Sequence, residues 1–254
     1  MKIASWNVNS LRVRLPQLLQ WLASEQPDVI GLQELKMQDE DFPVKELQEA
    51  GYHAVFNGQK TYNGVALLSR VAGDAAVRDL PGYDDPQKRV IAATYGDVRV
   101  INLYVPNGQA VGSDKYEYKL RWLKQLHEFL RLELQMHPKC VVAGDFNIAP
   151  EDRDVYDPDA WRDQVLCSAP EREALQSLFA LGFKDSFRLF DQPAQSFSWW
   201  DYRAAGFRRN LGLRIDHILV SDVLAPACRS SRIDKVPRAW ERPSDHAPVV
   251  AEFD

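Results

Sequence analysis

Cysteine is scarce in this chain of 254 residues: Cys140, Cys167 and Cys228 lie far apart and are odd in number. No Cys-x-x-Cys pair occurs, so the pattern indicates neither a disulfide framework nor a zinc knuckle. A reducing cytoplasm is the expected setting. Long apolar runs are missing as well. Near the N-terminus Asn7, Asn9 and Arg12 interrupt the hydrophobic residues, so neither a signal peptide nor a membrane span is expected. No segment is rich enough in Gly, Ser or Pro to act as a linker, which predicts one domain over residues 1–254. Positive charge is not in excess either. The formal net charge is -5, which argues against a generic nucleic-acid coat protein. A polyanion substrate stays open, because local asymmetry and bound cations can reverse the field.

What is present is core-forming material. With 45% hydrophobic residues the chain can build one large core. Seven Trp exceed what a core needs, leaving some free to stack on a ligand. Short apolar runs recur along the chain: Lys2 to Val8, Val29 to Leu32, His53 to Phe56, Val65 to Ser69, Ala75 to Leu80, Val90 to Tyr95 and Val98 to Val105. Further runs follow from Cys140 to Asp145, Phe197 to Trp200, Ile215 to Val220, Cys228 to Val236 and Val249 to Phe253. These read as strands, with Gly96-Asp97 as a tight hairpin turn. Helical stripes cover Leu11 to Ala23, Phe42 to Ala50, Asp114 to Gln135 and Glu171 to Leu181, while residues 152–170 are irregular. Many strands with few helices fit two sheets packed face to face, helices outside, better than a doubly wound parallel sheet.

The ends of the runs carry the chemistry. The stretch Gly144-Asp145-Phe146-Asn147 closes an apolar run, and Pro150 prevents the ladder from continuing. Two side chains two residues apart share an edge, although an Asx-turn would use the same residues. The device recurs at Asn7 and Asn9, Glu34, Tyr104, Asp216, and Asp245-His246. A set of Asp, Glu, Asn, Tyr and His without a Ser or Cys nucleophile suits a hard cation held by oxygen, not zinc. Asp216 lies within an apolar run, so its carboxylate needs a mate, for which a histidine is suited. His217 points to the opposite face if that stretch is a strand. It is read as structural or exposed, together with His53, His127 and His137.

Five motifs resemble those of the exonuclease III family of DNA-repair nucleases, within the larger group sharing the pancreatic deoxyribonuclease fold. They are Ser5-Trp6-Asn7-Val8-Asn9, Pro27 to Glu34, Gly144 to Pro150, Leu213 to Leu219, and Pro243 to Pro248. The resemblance covers nearly the whole chain and implies a four-layer α/β sandwich of two mostly antiparallel sheets. It implies Glu34 as main metal ligand, with Asn7, Asp145, Asn147, Asp245 and His246 also at the metal. It implies Asp145 as the group that activates water, Asn147 and His246 as donors to the scissile phosphate, Asp216 as the partner of His246, and Tyr104 near the phosphate or leaving group. Mg²⁺ is the implied cofactor, with Mn²⁺ able to substitute. The implied reaction is phosphodiester hydrolysis at 3′ ends, nicks or abasic sites of double-stranded DNA, by a monomer.

The same fold also serves phosphoinositide phosphatases and sphingomyelinases, so fold alone does not choose the substrate. A phosphodiesterase on another substrate and a catalytically silent nucleic-acid binder remain alternatives. Two features favour DNA. From Trp199 to Arg242 there are nine Lys or Arg against five Asp or Glu, and Phe197 to Arg203 interleaves aromatics with a cation. By family position Trp199, Leu213 and Ile215 wall a pocket for a deoxyribose lacking its base. Asn9, Arg89, Lys115, Lys119 and Arg203 are expected at the substrate. A bulky side chain within residues 152–170 would disfavour abasic-site incision and spare 3′-end removal.

Overall fold

Two strand–helix–strand units set the architecture, and each ends in one of the polar tips. In the computed structural model, which describes residues 1–254, β1 (Lys2–Asn7), α1 (Leu11–Glu25) and β2 (Val29–Gln33) form the first unit. α2 (Val44–Glu49), β3 (His53–Asn57), β4 (Val65–Ser69), β5 (Asp74–Arg78) and β6 (Val90–Tyr95) follow. The second unit is β7 (Val98–Tyr104), α3 (Asp114–Met136) and β8 (Cys140–Asp145). The chain closes with α4 (Ala169–Ala180), β9 (Phe183–Asp185), β10 (Trp199–Trp200), β11 (Gly212–Leu213), β12 (Asp216–Ser221), β13 (Cys228–Ile233) and β14 (Val249–Phe253).

One sheet runs β13-β14-β1-β2-β4-β3, the other β5-β6-β7-β8-β12-β9. Only β1/β2 and β7/β8 pair in parallel; every other strand pair is antiparallel. A helix crossover makes each parallel pair, so both strands of a pair exit at the same edge of their sheet. The first and last strands lie side by side, Ile3 opposite Ala251.

Three apolar layers separate four structural ones. Between the sheets, Ile3, Val29 and Leu67 meet Val100, Val141, Ile218 and Val220. Outside the first sheet, Leu18, Trp21 and Leu22 of α1 cover Trp6, Ile30 and Leu32. Outside the second, Trp122, Leu126 and Leu130 of α3 with Leu175 and Leu178 of α4 cover Ile101, Leu103 and Val142. This is the expected α/β sandwich. The short strands β9 and β11 were not expected, since two or three residues carry no periodicity. The apolar run from Leu213 to Val220 is broken at Arg214. Its guanidinium turns inward to Asp154 and Asp185, each at 2.7 Å, instead of continuing a ladder.

A polar tie crosses the apolar interface between the sheets. Asn102 of β7 sends its Nδ2 to the carbonyls of Leu32 and Ala66 in the opposite sheet, both at 2.8 Å. Its Oδ1 accepts from Gln33 Nε2 at 2.6 Å, and Gln33 Nε2 also reaches Ser5 Oγ at 2.9 Å. Gly31 makes room for it; a Cβ there would lie 2.6 Å from the Asn102 side chain. This tie fixes how one sheet sits over the other one step below the rim. We expect Asn102→Leu to leave these partners unpaired and cost about 3 kcal/mol or more in urea unfolding, since each orphaned buried group costs roughly 1–3 kcal/mol.

Candidate active site

Strand register brings the tips together. Tyr104, Asp145 and Asp216 lie directly opposite one another across β7, β8 and β12. Gly144 permits this close pairing, because a Cβ there would stand 2.0 Å from the Leu103 carbonyl oxygen. From the other sheet, Asn7 is the last residue of β1 and Glu34 the first beyond β2. Asn7 Nδ2 joins the sheets, donating to Glu34 Oε1 at 2.8 Å and to Asp145 Oδ2 at 2.9 Å. The segment before β14 closes the rim through a bridge between His246 and Trp199.

Asp145, Asp216 and His246 are all buried. His246 Nδ1 faces Asp216 Oδ2 at 2.9 Å, and its Nε2 lies 3.7 Å from Asp145 Oδ2. Ser198 holds Asp216 in turn, its hydroxyl donating to Oδ2 at 2.7 Å. Burial alone would lower the His246 pKa, but the Asp216 and Asp145 carboxylates outweigh it and raise it to about 10. The imidazole is therefore a cationic donor at neutrality, as expected for an Asp-His pair. Burial raises Asp145 to about 7, with the His246 charge opposing and Asp216 reinforcing. Burial and the carboxylates of Glu34 and Asp145 keep the Tyr104 phenol protonated, well above its ordinary value. His217 is structural, as read from its strand face: Nε2 lies 2.9 Å from the Ile148 carbonyl.

Around this centre stand further expected residues. Asn9 donates to Asp245 Oδ1 at 2.9 Å, and Trp199 Nε1 donates to Asp245 Oδ2 at 3.0 Å. Asn147 donates to the Val105 carbonyl at 2.9 Å and takes a bond from Asn107. Lys115 is exposed and lines a cavity of about 670 Å³ beside Tyr104, Asn107 and Tyr62.

Other expected substrate contacts are placed differently. Arg89 is buried, stacked over the Tyr104 ring and bonded to the Tyr104 carbonyl at 3.0 Å. It braces Tyr104 rather than standing free on the surface. Arg203 is exposed but spent on its neighbour Asp201 at 2.8 Å. Lys119 is fully buried. Leu213 and Ile215 are also fully buried, packed with Ala149, Val155, Leu166 and Cys167, so of the three expected pocket walls only Trp199 retains exposed surface.

Sequence reasoning missed Lys36, which pairs with Glu34 at 3.0 Å and donates to Asn9, and it missed Asn107 and Ser198. Lys36 and Asn107 fall two and three residues beyond tips that were identified, a signal that was legible.

A cation fits this rim. One donor atom each from Glu34, Asp145 and His246 lies within 4.8 Å of the others. Two carboxylate oxygens suit a hard divalent ion, whereas the protonated imidazole acts beside it as a donor. Asn7 presents its NH₂; a half-turn of the amide would offer Oδ1 at the cost of the 3.0 Å bond from the Asn9 amide. Asp245 stands outside the group, both its oxygens taken by Asn9 and Trp199. Asn147 contributes a neutral amide rather than a charged ligand.

Comparison with known proteins places the whole chain in one family. A model described as the endonuclease/exonuclease/phosphatase family matches residues 4–246. The chain belongs to that family. It is 42% identical to "Exodeoxyribonuclease III" of Haemophilus influenzae, covering 100% of both chains. Among solved structures, a 3′ phosphatase from Neisseria bound to product DNA hairpin superposes with TM-score 0.98 at 53% identity, covering 100% of this chain and 99% of that one. An AP endonuclease from Archaeoglobus fulgidus superposes with TM-score 0.96 at 38% identity, with coverages of 100% and 99%.

Both raised pKa values carry the same sign for stability. His246 contributes in full below the unfolded value of about 6.5, and the contribution is lost as pH rises through about 10. Folded Asp145 holds its proton up to about 7, so stability also falls from the unfolded carboxylate value toward that pH. A cation competes with that proton. We therefore expect Mg²⁺ to raise Tm more near pH ~8 than near pH ~5.5; equal shifts in differential scanning calorimetry would separate the cation from Asp145.

Proposed function

We propose that this chain is a divalent-metal-dependent phosphodiesterase acting on double-stranded DNA. In this reading it removes nucleotides and phosphates from 3′ ends and incises abasic sites as a lesser activity. The observation that carries the chemistry is the Asp145–His246–Asp216 arrangement, one acceptor and one cationic donor side by side at the rim, 3.7 Å apart. The three substrates share one bond. Removing a 3′-phosphate or a 3′ nucleotide, and incising on the 5′ side of an abasic sugar, can each proceed by breaking P–O3′ to leave a 3′-hydroxyl with the phosphate on the other product, so one geometry serves all.

Asp145 orients a water and takes its proton as the oxygen attacks phosphorus. His246 Nε2 donates to a non-bridging oxygen, while Asp216 and Ser198 hold the imidazole in place. Such a donor contributes roughly 3 kcal/mol to a developing oxyanion. Asn147, steadied by Asn107, supplies a neutral donor, and Tyr104 keeps its proton as a donor toward the leaving side. Glu34 and Asp145 would hold the Mg²⁺ ion, or Mn²⁺ in its place, which would supply positive charge to offset that of the phosphate and the departing alkoxide.

Preference for 3′ ends is supported by residues 152–170. Leu166 packs in one cluster with Leu213 and Ile215, two of the residues that the family resemblance assigns to a sugar pocket, and in this reading its side chain fills that pocket. Its φ of 76° is a left-handed conformation that a branched side chain adopts at a cost. Arg89 and Lys119 add no free phosphate contact, so Lys115 and the exposed segment around Tyr202 carry the surface side of binding. The three free, buried cysteines suit a reducing cytoplasm.

The test uses three labelled duplexes, bearing an internal abasic site, a recessed 3′-hydroxyl and a 3′-phosphate, beside a phospholipid headgroup substrate. We expect the 3′-phosphate and 3′-hydroxyl duplexes to be processed fastest, and EDTA to abolish turnover until Mg²⁺ or Mn²⁺ is restored. Hydrolysis of the lipid alone would overturn the reading. Asp145→Asn should fold and lose on the order of 10²–10⁴ in kcat. Leu166→Gly removes the wall and relieves the positive φ, so abasic-site incision should rise relative to 3′-phosphate release; an unchanged ratio would show that Leu166 does not set the preference.

A further inference from the structure

Lys119 and Glu171 form an ion pair with no exposure at either side chain, one step behind the active site. Taking two charges out of water is expensive, and apolar residues of similar volume are often at least as stable. What the pair touches explains its presence better than stability does. Lys119 Nζ donates to Glu171, to the carbonyl of Asn147 at 2.6 Å and to the carbonyl of Asn107 at 3.1 Å. All three ammonium protons are thereby used, two of them on the carbonyls of Asn107 and Asn147, whose side chains are bonded to each other and which the functional reading places beside the phosphate.

Glu171 acts on the opposite side. Its Oε1 accepts from the Leu166 amide at 3.0 Å and its Oε2 from the Ser168 amide at 3.1 Å, while the Ser168 hydroxyl also donates to it. The Leu166 carbonyl in turn accepts from the Ala149 amide at 2.8 Å, closing a ring of bonds. The pair thus joins two segments that share no strand ladder, the turn of Asp145 to Ala149 and the strap of Leu166 to Ser168. Each contains a non-glycine residue in the left-handed region, Asn147 at φ 49° and Leu166 at φ 76°. Left-handed backbone at such residues costs about 1–2 kcal/mol and persists only where the surroundings hold it.

We propose that Lys119 and Glu171 are positioning residues that lock the Asn147 turn to the Leu166 strap, so that one buried pair sets both the aim of the phosphate donors and the wall that selects 3′ ends. The proposal deepens the functional reading above and rests on it for its kinetic consequence. Its mechanical content stands apart: the two segments move as one unit because of this pair.

The experiment compares the full-length protein with the double variant Lys119→Met/Glu171→Leu, which replaces the charges by an apolar pair and keeps a packed interior. Thermal unfolding is expected to remain cooperative. Amide hydrogen exchange is expected to quicken at residues 145–150 and 164–169 together, with little change in the sheets. On the 3′-phosphate duplex kcat should fall roughly 10–100-fold, the loss expected when a reacting geometry slackens by about 1 Å, while KM stays within about threefold. Incision at the abasic site should suffer less, because the wall loosens. Glu171→Gln keeps one oxygen as acceptor for Lys119 and the Leu166 amide and gives up only the bonds from Ser168, so its kcat should lie between those of the wild type and the double variant; it also serves if the double variant does not fold. A folded double variant with unchanged kcat, or a Glu171→Gln protein as impaired as the double variant, would overturn the positioning role. A wild-type protein inactive on all DNA duplexes would defeat the functional reading, and the paired exchange at the two segments would still decide whether they are locked.

Discussion

The constraint on which the site depends is the crowding of carboxylates at a buried rim. Glu34, half-buried, comes from one sheet, Asp145 and Asp216 from the other, and burial denies the latter two the water that would separate their charges. Like charges so placed raise one another's pKa values or demand positive partners. The chain supplies three kinds of relief. Lys36 meets Glu34, the His246 imidazole stands between Asp216 and Asp145, and the Asn7 amide spans Glu34 and Asp145. The relief is incomplete: burial above all, with the Asp216 and Glu34 charges adding to it, still lets Asp145 hold its proton up to about 7. In the proposed reading a divalent cation held by Glu34 and Asp145 would complete it and leave Asp145 free of its proton.

That balance needs the two sheets to meet in one register. Sandwich interfaces of aliphatic side chains are slippery, because Val, Ile and Leu packing tolerates small displacements. Here Asn102 and Gln33 replace part of that packing with directed bonds from one sheet to the other's backbone. A displacement of about 1 Å would break them outright, as hydrogen bonds weaken steeply outside a narrow distance range. The tie lies beneath Asn7 and Glu34, so it is the nearest rigid reference for the distance between Glu34 and Asp145. Lys119 and Glu171 serve the other flank in the same manner, through bonds to carbonyls and amides rather than to side chains.

Much of this arrangement was legible in the sequence because strand exits are. An apolar run that stops at Asp145 or Glu34 announces both the strand and the polar tip, and two helix crossovers force the tips onto one edge. That Asp216 needs a partner followed from the cost of an unpaired carboxylate in an apolar run; that the partner is His246 was implied by the family motifs. What stayed hidden is long-range. Lys119 sits on an amphipathic helix and looks like any solvated cation; its burial is decided by Glu171, which is fifty-two residues away in sequence. Arg89 likewise looks like a phosphate ligand until Tyr104 and Gln87 take its donors. Leu213 and Ile215 carry the family pattern of a sugar pocket, yet their exposure is set by Leu166 in a segment with no periodicity to read.

The account turns on a cation held between the two sheets, and Mn²⁺ binding followed by electron paramagnetic resonance tests it most directly. Near neutral pH the wild-type protein should bind Mn²⁺ at this rim. Glu34→Gln should fold at least as stably, since it removes one of the crowded charges, and should lose that binding. Glu34→Gln that binds Mn²⁺ as tightly as the wild type would show that the ion is held elsewhere and that the convergence of carboxylates serves another purpose.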